Sequence, residues 1–457
     1  MLKELKPISK LRFDALAGYC RRPETSLHSD EVDWYQTHEE KILIVIIRDH
    51  TDRDFSALLL SQDLKERYRF VRMTGFYNTE KETLENVSPV IEHVIAAFDE
   101  ERNQGDERGD PVDFFAPVVA VERLNPDFKT ISSLSGYSPA LEIIKPMMRW
   151  YEDPDGNFIE QFQTTGFNTR LWELYLFAML SEVPFAIVRE HPVPDFSAEG
   201  PFGELFIEAT SVNPSGAAHL APPPMETDAQ RTDFLRNYMP IRFAGPLVKK
   251  LNHRHQNLRY WEQPAVQGKP LLFAIQDFHS AGSMAYSYPA LPIYLYGMFW
   301  TEEQNAVGEV IGSPEVVDKH VWGEKEIESG FFYLPDSENI SAVIINPSAT
   351  ISKFNRMGLM AEFGKPGVRI LRQGFAATPS NYMAEPTRFS LEVGSPEYSE
   401  TWIEGMSVYH NPNAVVPLNP ELLPGAAHHF LNADGTLTTV LPDWHPISSE
   451  TQIFTGE

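Results

Sequence analysis

The chain has 457 residues, 42% of them hydrophobic and 22% charged, with a formal charge of −26. This is the composition of a globular protein of two or three domains. Its global field repels polyanions, so phosphate binding would require a local reversal of charge. Cys20 is the only cysteine, which excludes an intrachain disulfide and a thiolate zinc cage. The longest purely aliphatic run, at 42–47, is too short to span a bilayer, and the N-terminal residues lack the apolar core of a signal peptide. A cytoplasmic protein without a membrane span is expected.

Residues 1–105 read as a small N-terminal α+β domain. KILIVIIRD (41–49) is an apolar strand, HTDRD (50–54) has turn composition, and FSALLLSQD (55–63) is the hairpin partner. YRFVRMTGF (68–76), with alternating apolar and basic residues, is a third strand. Leu84, Val87, Val90, Ile91, Val94, Ile95 and Phe98 recur at helical spacing, so one helix covers a three-stranded sheet. Trp34, Tyr35 and Phe55 are core aromatics or line a binding surface. NQGDERGDPV (103–112) has linker composition. IIKPMMRWYEDPDGNF begins as a helix and ends in a turn at Asp153-Pro154-Asp155-Gly156, which lacks the glycine position and distal glutamate of a calcium loop.

Residues 113–280 are the expected core, an α/β unit within a chain that is α+β overall. FNTRLWELYLFAMLSE (167–182) is an almost wholly apolar helix that contains Glu173. A short strand follows, then Pro194-Asp195, then GPFGELFIEATS, a strand that carries Glu208 and Thr210. The stretch 231–260 reads as two helices broken near Pro240 and Pro246, and GKPLLFAIQDF (268–278) is a glycine turn feeding a strand. Residues 281–457 are expected to be β-rich and packed on the core. They hold short strands at 341–348 and 367–375, a short helix or turn at 352–360, and a tail of loop from about Pro417.

The acids of the core carry the chemistry. Along a strand alternate residues share a face, so Glu208 lies with Phe206 and Thr210 between apolar neighbours. A lone carboxylate there is costly unless a cation or hydrogen-bond donors compensate it. Glu173 raises the same problem inside its apolar helix, and Asp195 follows a proline that fixes its backbone. Converging, the three offer hard oxygen ligands suited to magnesium or manganese. Each also has a structural alternative: Glu173 can pair with Arg170, Glu208 can hold a loop amide or a buried arginine, and Asp195 can serve only as a turn former. Residues 231–260 carry seven Lys/Arg against one acid, Asp233, the most basic stretch of the chain.

The order of these elements and motifs resembles the PD-(D/E)XK nuclease superfamily, the restriction-endonuclease-like fold, over residues 167–280. Pro194-Asp195 matches the first acidic motif, Glu208-Ala209-Thr210 the second with Thr210 in place of the family's lysine, and Glu173 the acid of the preceding helix. Gln256 and Tyr260 match a Gln-x-x-x-Tyr motif carried by one branch. The resemblance implies a restriction-endonuclease-like mixed sheet flanked by helices. It further implies a Mg2+- or Mn2+-dependent endonuclease cleaving DNA or RNA, and by analogy a role in defence against foreign DNA. Glu173, Asp195 and Glu208 would then be metal ligands. Lys249 or Lys250, from the following helix, would replace the missing lysine beside Thr210. Arg236, Arg242, Lys249, Lys250, Arg254, Gln256, Arg259 and Tyr260 would contact the nucleic acid; the alternative for the basic residues is a solvated helix face. A second reading is a catalytically inactive nuclease-like module that binds nucleic acid or a protein partner. A third is a hydrolase of another class centred near His410. His428-His429 reads as packing, and the i, i+2 spacing of His253 and His255 opposes joint metal ligation.

Overall fold

Strand Gly203–Val212 shows how the molecule is layered. Its Leu205, Ile207 and Ala209 pack against the helix Phe167–Glu182, while Phe206 and Val212 pack against the helix Met239–Leu251. The strand belongs to an eight-stranded mixed sheet. In spatial order this runs Leu437–Val440, Ala427–Leu431, Ser407–His410, Ala342–Ile345, Leu271–Asp277, Gly203–Val212, Phe196–Gly200 and Ala186–Val188. Strands Gly203–Val212, Leu271–Asp277 and Ala342–Ile345 are parallel to one another, with Glu208 opposite Phe273 and Ala209 opposite Ala274. Leu271–Asp277 is buried along its whole length, as a strand covered on both faces must be. The computed structural model describes residues 5–37, 40–151, 156–183, 185–188, 191–214, 225–280, 282–304, 310–379 and 386–456.

The mixed sheet flanked by helices and the β-rich C-terminal region are as the sequence implied. Four strands of that region extend the central sheet, so the two share one hydrogen-bonded layer. A separate three-stranded sheet, Val368–Ala377 between Thr387–Glu392 and His445–Thr455, packs beyond it. The expected helix near 352–360 is Ile351–Met360. Among the described residues no helix is long and apolar enough to cross a membrane.

Three expectations are corrected. The N-terminal sheet has five antiparallel strands, not three. Strand Ser29–Gln36 (SDEVDWYQ) hid behind its charges, because only parts of it are covered. In this sheet Ile42, Ile44 and Ile46 face the helix Glu80–Ala96, and Leu43 and Val45 face the main core. The basic stretch is not broken at its prolines. Helix Asp228–Asp233 runs through a π-turn, Phe234–Tyr238, into Met239–Leu251. Pro240 sits in the first turn, where a missing N–H is tolerated, and Pro246 is retained in a helix whose Phe243, Leu247 and Leu251 are buried. The tail after Pro417 is strand-rich, with His428 and His429 inside Ala427–Leu431. The turn expected at Asp153-Pro154-Asp155 lies outside the described residues.

Candidate active site

Asp195 stands where a strand stops. The ladder of Phe196–Gly200 on Gly203–Val212 ends at the pair Phe196–Ile207. One step further, side chains replace backbone partners. The Ala209 amide donates to Asp195 Oδ2 at 2.7 Å, and the Asp195 amide donates to Glu208 Oε2 at 3.2 Å. Asp195 and Glu208 are thus joined by a reciprocal pair of hydrogen bonds, each through the other's segment. Asp195 is exposed at the mouth of this arrangement, and Glu208 is only 3% exposed.

Glu208 faces the basic helix. Its Oε1 accepts from Lys250 Nζ and, at 2.7 Å, from the Tyr260 hydroxyl. Tyr260 is itself buried, with its ring stacked on His253 at 5.2 Å and edge-on to Phe273. Glu173 approaches from the opposite layer, on the helix Phe167–Glu182. Its Oε2 accepts from Arg170 at 2.6 Å and from the Tyr151 hydroxyl at 3.2 Å. The pairing with Arg170 is the structural alternative weighed for Glu173. Arg170 is fixed in turn by Gln161 at 2.6 Å and lies over the Phe158 ring.

Electrostatics tie the two halves together through Asp195. Burial, then the Asp195 charge, raise the Glu208 carboxyl above the usual carboxylate range, with Lys250 and Tyr260 opposing. Burial and Asp195 likewise push Glu173 up to about 7 against Arg170. The Lys250 ammonium is lowered by burial but raised more by Glu208, Asp195 and Glu173, and remains a cation. The cluster therefore holds three carboxylates against Lys250 and Arg170, and two of the acids bind protons unusually tightly, as they do in an undercompensated negative field. In donor type and in charge this set fits a hard divalent cation. As they stand, no three His, Cys, Asp or Glu side chains among the described residues are grouped to hold a metal ion. Lys250 and Arg170 occupy Glu208 and Glu173 instead.

Of the two candidate lysines, Lys250 reaches the acids, while Lys249 is exposed and pairs with no described residue. Thr210, half-buried on the Glu208 side of the strand, makes no side-chain hydrogen bond with a described residue. Gln256 is not on a helix. It is exposed, at φ 50°, in the tight turn bridged by His255 and Leu258, so only the tyrosine of the Gln-x-x-x-Tyr pair enters the site. Arg242 donates to the Asn213 carbonyl, and Arg254 to the Asn257 carbonyl at 3.0 Å. Arg259 donates to the Leu251 carbonyl at 2.7 Å, and Arg236 pairs with Glu315 at 2.6 Å. These four arginines tie down chain rather than line the acidic cluster. Tyr151 was not singled out in the sequence, where an aromatic closing an amphipathic helix reads as core.

Comparison with protein-family models, curated proteins and solved structures finds no match to this chain.

Proposed function

We propose that the chain is a metal-dependent nuclease that hydrolyses phosphodiester bonds of DNA or RNA at the Glu173–Asp195–Glu208–Lys250 cluster. The observation that carries this reading is the Lys250 ammonium seated on Glu208 in the charge field of Asp195. It supplies, from the neighbouring helix, the basic group that Thr210 does not. Asp195 and Glu208 are the oxygen donors that would hold magnesium or manganese, with Glu173 adding a third, directly or through water. A divalent ion in such a site supplies charge neutralisation on the phosphate and a more acidic water. Lys250 then offsets phosphate charge and orients the attacking water, and Tyr260 fixes the rotamer of Glu208. Lys249, exposed on the same helix, is available to a phosphate. A cytoplasmic location and a role in defence belong to the same proposal.

The ion pairs Lys250–Glu208 and Arg170–Glu173 favour a second reading, a nuclease-like module that has lost catalysis and binds nucleic acid or a protein partner. One experiment separates the two. Purified protein is incubated with duplex DNA, single-stranded DNA and RNA in magnesium or manganese, beside Asp195→Ala and Glu208→Ala. The nuclease reading requires cleavage by the wild type that both variants lose, and magnesium binding that Glu208→Gln weakens. Folded protein that neither cleaves nor binds the ion leaves the second reading standing.

A further inference from the structure

A cavity of about 500 Å3 lies away from the carboxylates, between the N-terminal sheet, the helix Phe167–Glu182 and the edge strand Ala186–Val188. Its volume is in the range of small-molecule sites. Arg21, Arg22, Arg67 and Arg69 line it, and among the described residues no Asp or Glu does. This reverses the chain's bulk balance of 38 Lys and Arg against 64 Asp and Glu.

The arginines are held from behind. Asp63, 1% exposed, takes Arg67 at 2.7 Å and lies 3.6 Å from Arg69, which also reaches Asp106 at 2.5 Å. Arg21 is clamped between Glu31 and Asp14, each at 2.6 Å. A guanidinium carries five N–H donors, so an arginine fixed by one carboxylate retains donors for a second anion. Arg22 is exposed and makes no ion pair with any described residue. Acids that do not line the cavity thus preorganise a cationic wall.

The same wall offers flat rings. The Arg67 guanidinium lies 5.2 Å from the Trp150 ring, and Phe70 is 50% exposed. The Trp150 indole N–H is buried and meets no acceptor among the described residues. Cationic forks beside aromatic faces are the complement of a phosphate joined to a planar base.

We propose that this cavity binds a free nucleoside phosphate, with phosphate oxygens on Arg22 and Arg69 and the base against Trp150 and Phe70. A nucleotide fits a bounded cavity in a chain whose net field repels longer polyanions. This inference is independent of the reading of the acidic cluster.

The test is equilibrium binding to the full chain in chelator. The probes are the common ribo- and deoxyribonucleoside mono- and triphosphates, with adenosine and inorganic phosphate as the base and phosphate alone, and a single-stranded oligonucleotide. A nucleotide is expected to bind saturably and at least about tenfold more tightly than either fragment. Arg22→Glu and Arg69→Ala are each expected to weaken it about tenfold or more, and Glu208→Gln to leave it unchanged. Arg22 has no described partner, so its variant keeps the wild-type melting temperature and the comparison remains valid if Arg69→Ala fails to fold. The proposal is overturned if no nucleotide saturates at about 1 mM. Binding that ignores Arg22→Glu, or that occurs only with a single-stranded oligonucleotide, overturns it as well. Loss of nuclease activity would not affect this result, nor would lack of nucleotide binding affect cleavage.

Discussion

The Lys250 ammonium and the Glu208 carboxylate form an ion pair that bridges the basic helix and the central sheet, 42 residues apart in the chain. Glu208 is almost fully covered and Lys250 one-quarter exposed. Removing one partner of a covered pair leaves a charge without compensation, whereas removing both leaves none. Lys250→Met is therefore expected to destabilise the protein by about 2–4 kcal/mol, because Glu208 must then take a proton or remain charged beside Asp195. Adding Glu208→Gln should recover most of the loss. Urea unfolding of the two single variants and the double variant measures the coupling. Additive losses would show that the pair is not a unit.

Tyr260→Phe separates the hydroxyl from the ring. The ring contacts with His253 and Phe273 are kept, and only the 2.7 Å hydrogen bond to Glu208 is lost. A hydrogen bond to a charged acceptor contributes about 1.5–3 kcal/mol, so a fall of that size in unfolding free energy is expected. If the nuclease reading holds, cleavage should fall with no change in nucleic-acid affinity, because Tyr260 positions Glu208 and does not meet the substrate. A stability change near zero would mean that water replaces the hydroxyl.

The acidic residues were legible because each broke a pattern. Glu173 and Glu208 are carboxylates in segments that are otherwise apolar, and the polarity conflict marked them before any coordinates. Lys250 was visible only as one of two adjacent lysines, and its helix is preceded by a π-turn at Phe234–Tyr238 that no residue pattern announced. Tyr151 and the strand Ser29–Gln36 were hidden for the opposite reason. An aromatic at a helix end and a charged, partly covered strand break no local rule. The sharing of one sheet by residues near 205 and near 430 is set by long-range pairing, to which local periodicity is blind.

Another polar cluster went unseen for the same reason. Glu400 accepts from Arg356 at 2.8 Å and from Lys353 at 3.2 Å, and Arg372 lies 3.6 Å away, with all four side chains at 2% exposure or less. Burial works against its charge, but the three cations outweigh burial and hold the carboxyl well below its usual range. Glu400→Gln is expected to remove about 3–5 kcal/mol of stability, since among the described residues the three buried cations would keep only the Arg372–Glu404 ion pair. Denaturant midpoints measure this. A loss below about 1 kcal/mol would show that the cluster admits water on losing its anion.

His445 is fully buried, and neither of its ring nitrogens has a hydrogen-bond partner among the described residues. Burial pushes it down to about 4; burial, then the neighbouring His445 and His428, push His429 down to about 3. In the unfolded chain a histidine titrates near about 6.5. The folded value is the lower one, so the unfolded chain takes up protons first as pH falls. The stabilisation is complete above about pH 6.5 and is lost progressively as pH falls toward the folded values, by at most about 1.4 kcal/mol per pH unit for each histidine. His445→Leu removes both the titration and two unmet polar atoms while keeping bulk beside the Tyr288 ring. It is expected to match or exceed the wild type at neutral pH, by up to about 1 kcal/mol, and to lose less stability between about pH 7 and pH 5. Unfolding free energies measured over that range decide it. Parallel losses in the two proteins would show that His445 titrates alike in the folded and the unfolded chain, and the burial argument would fail with it.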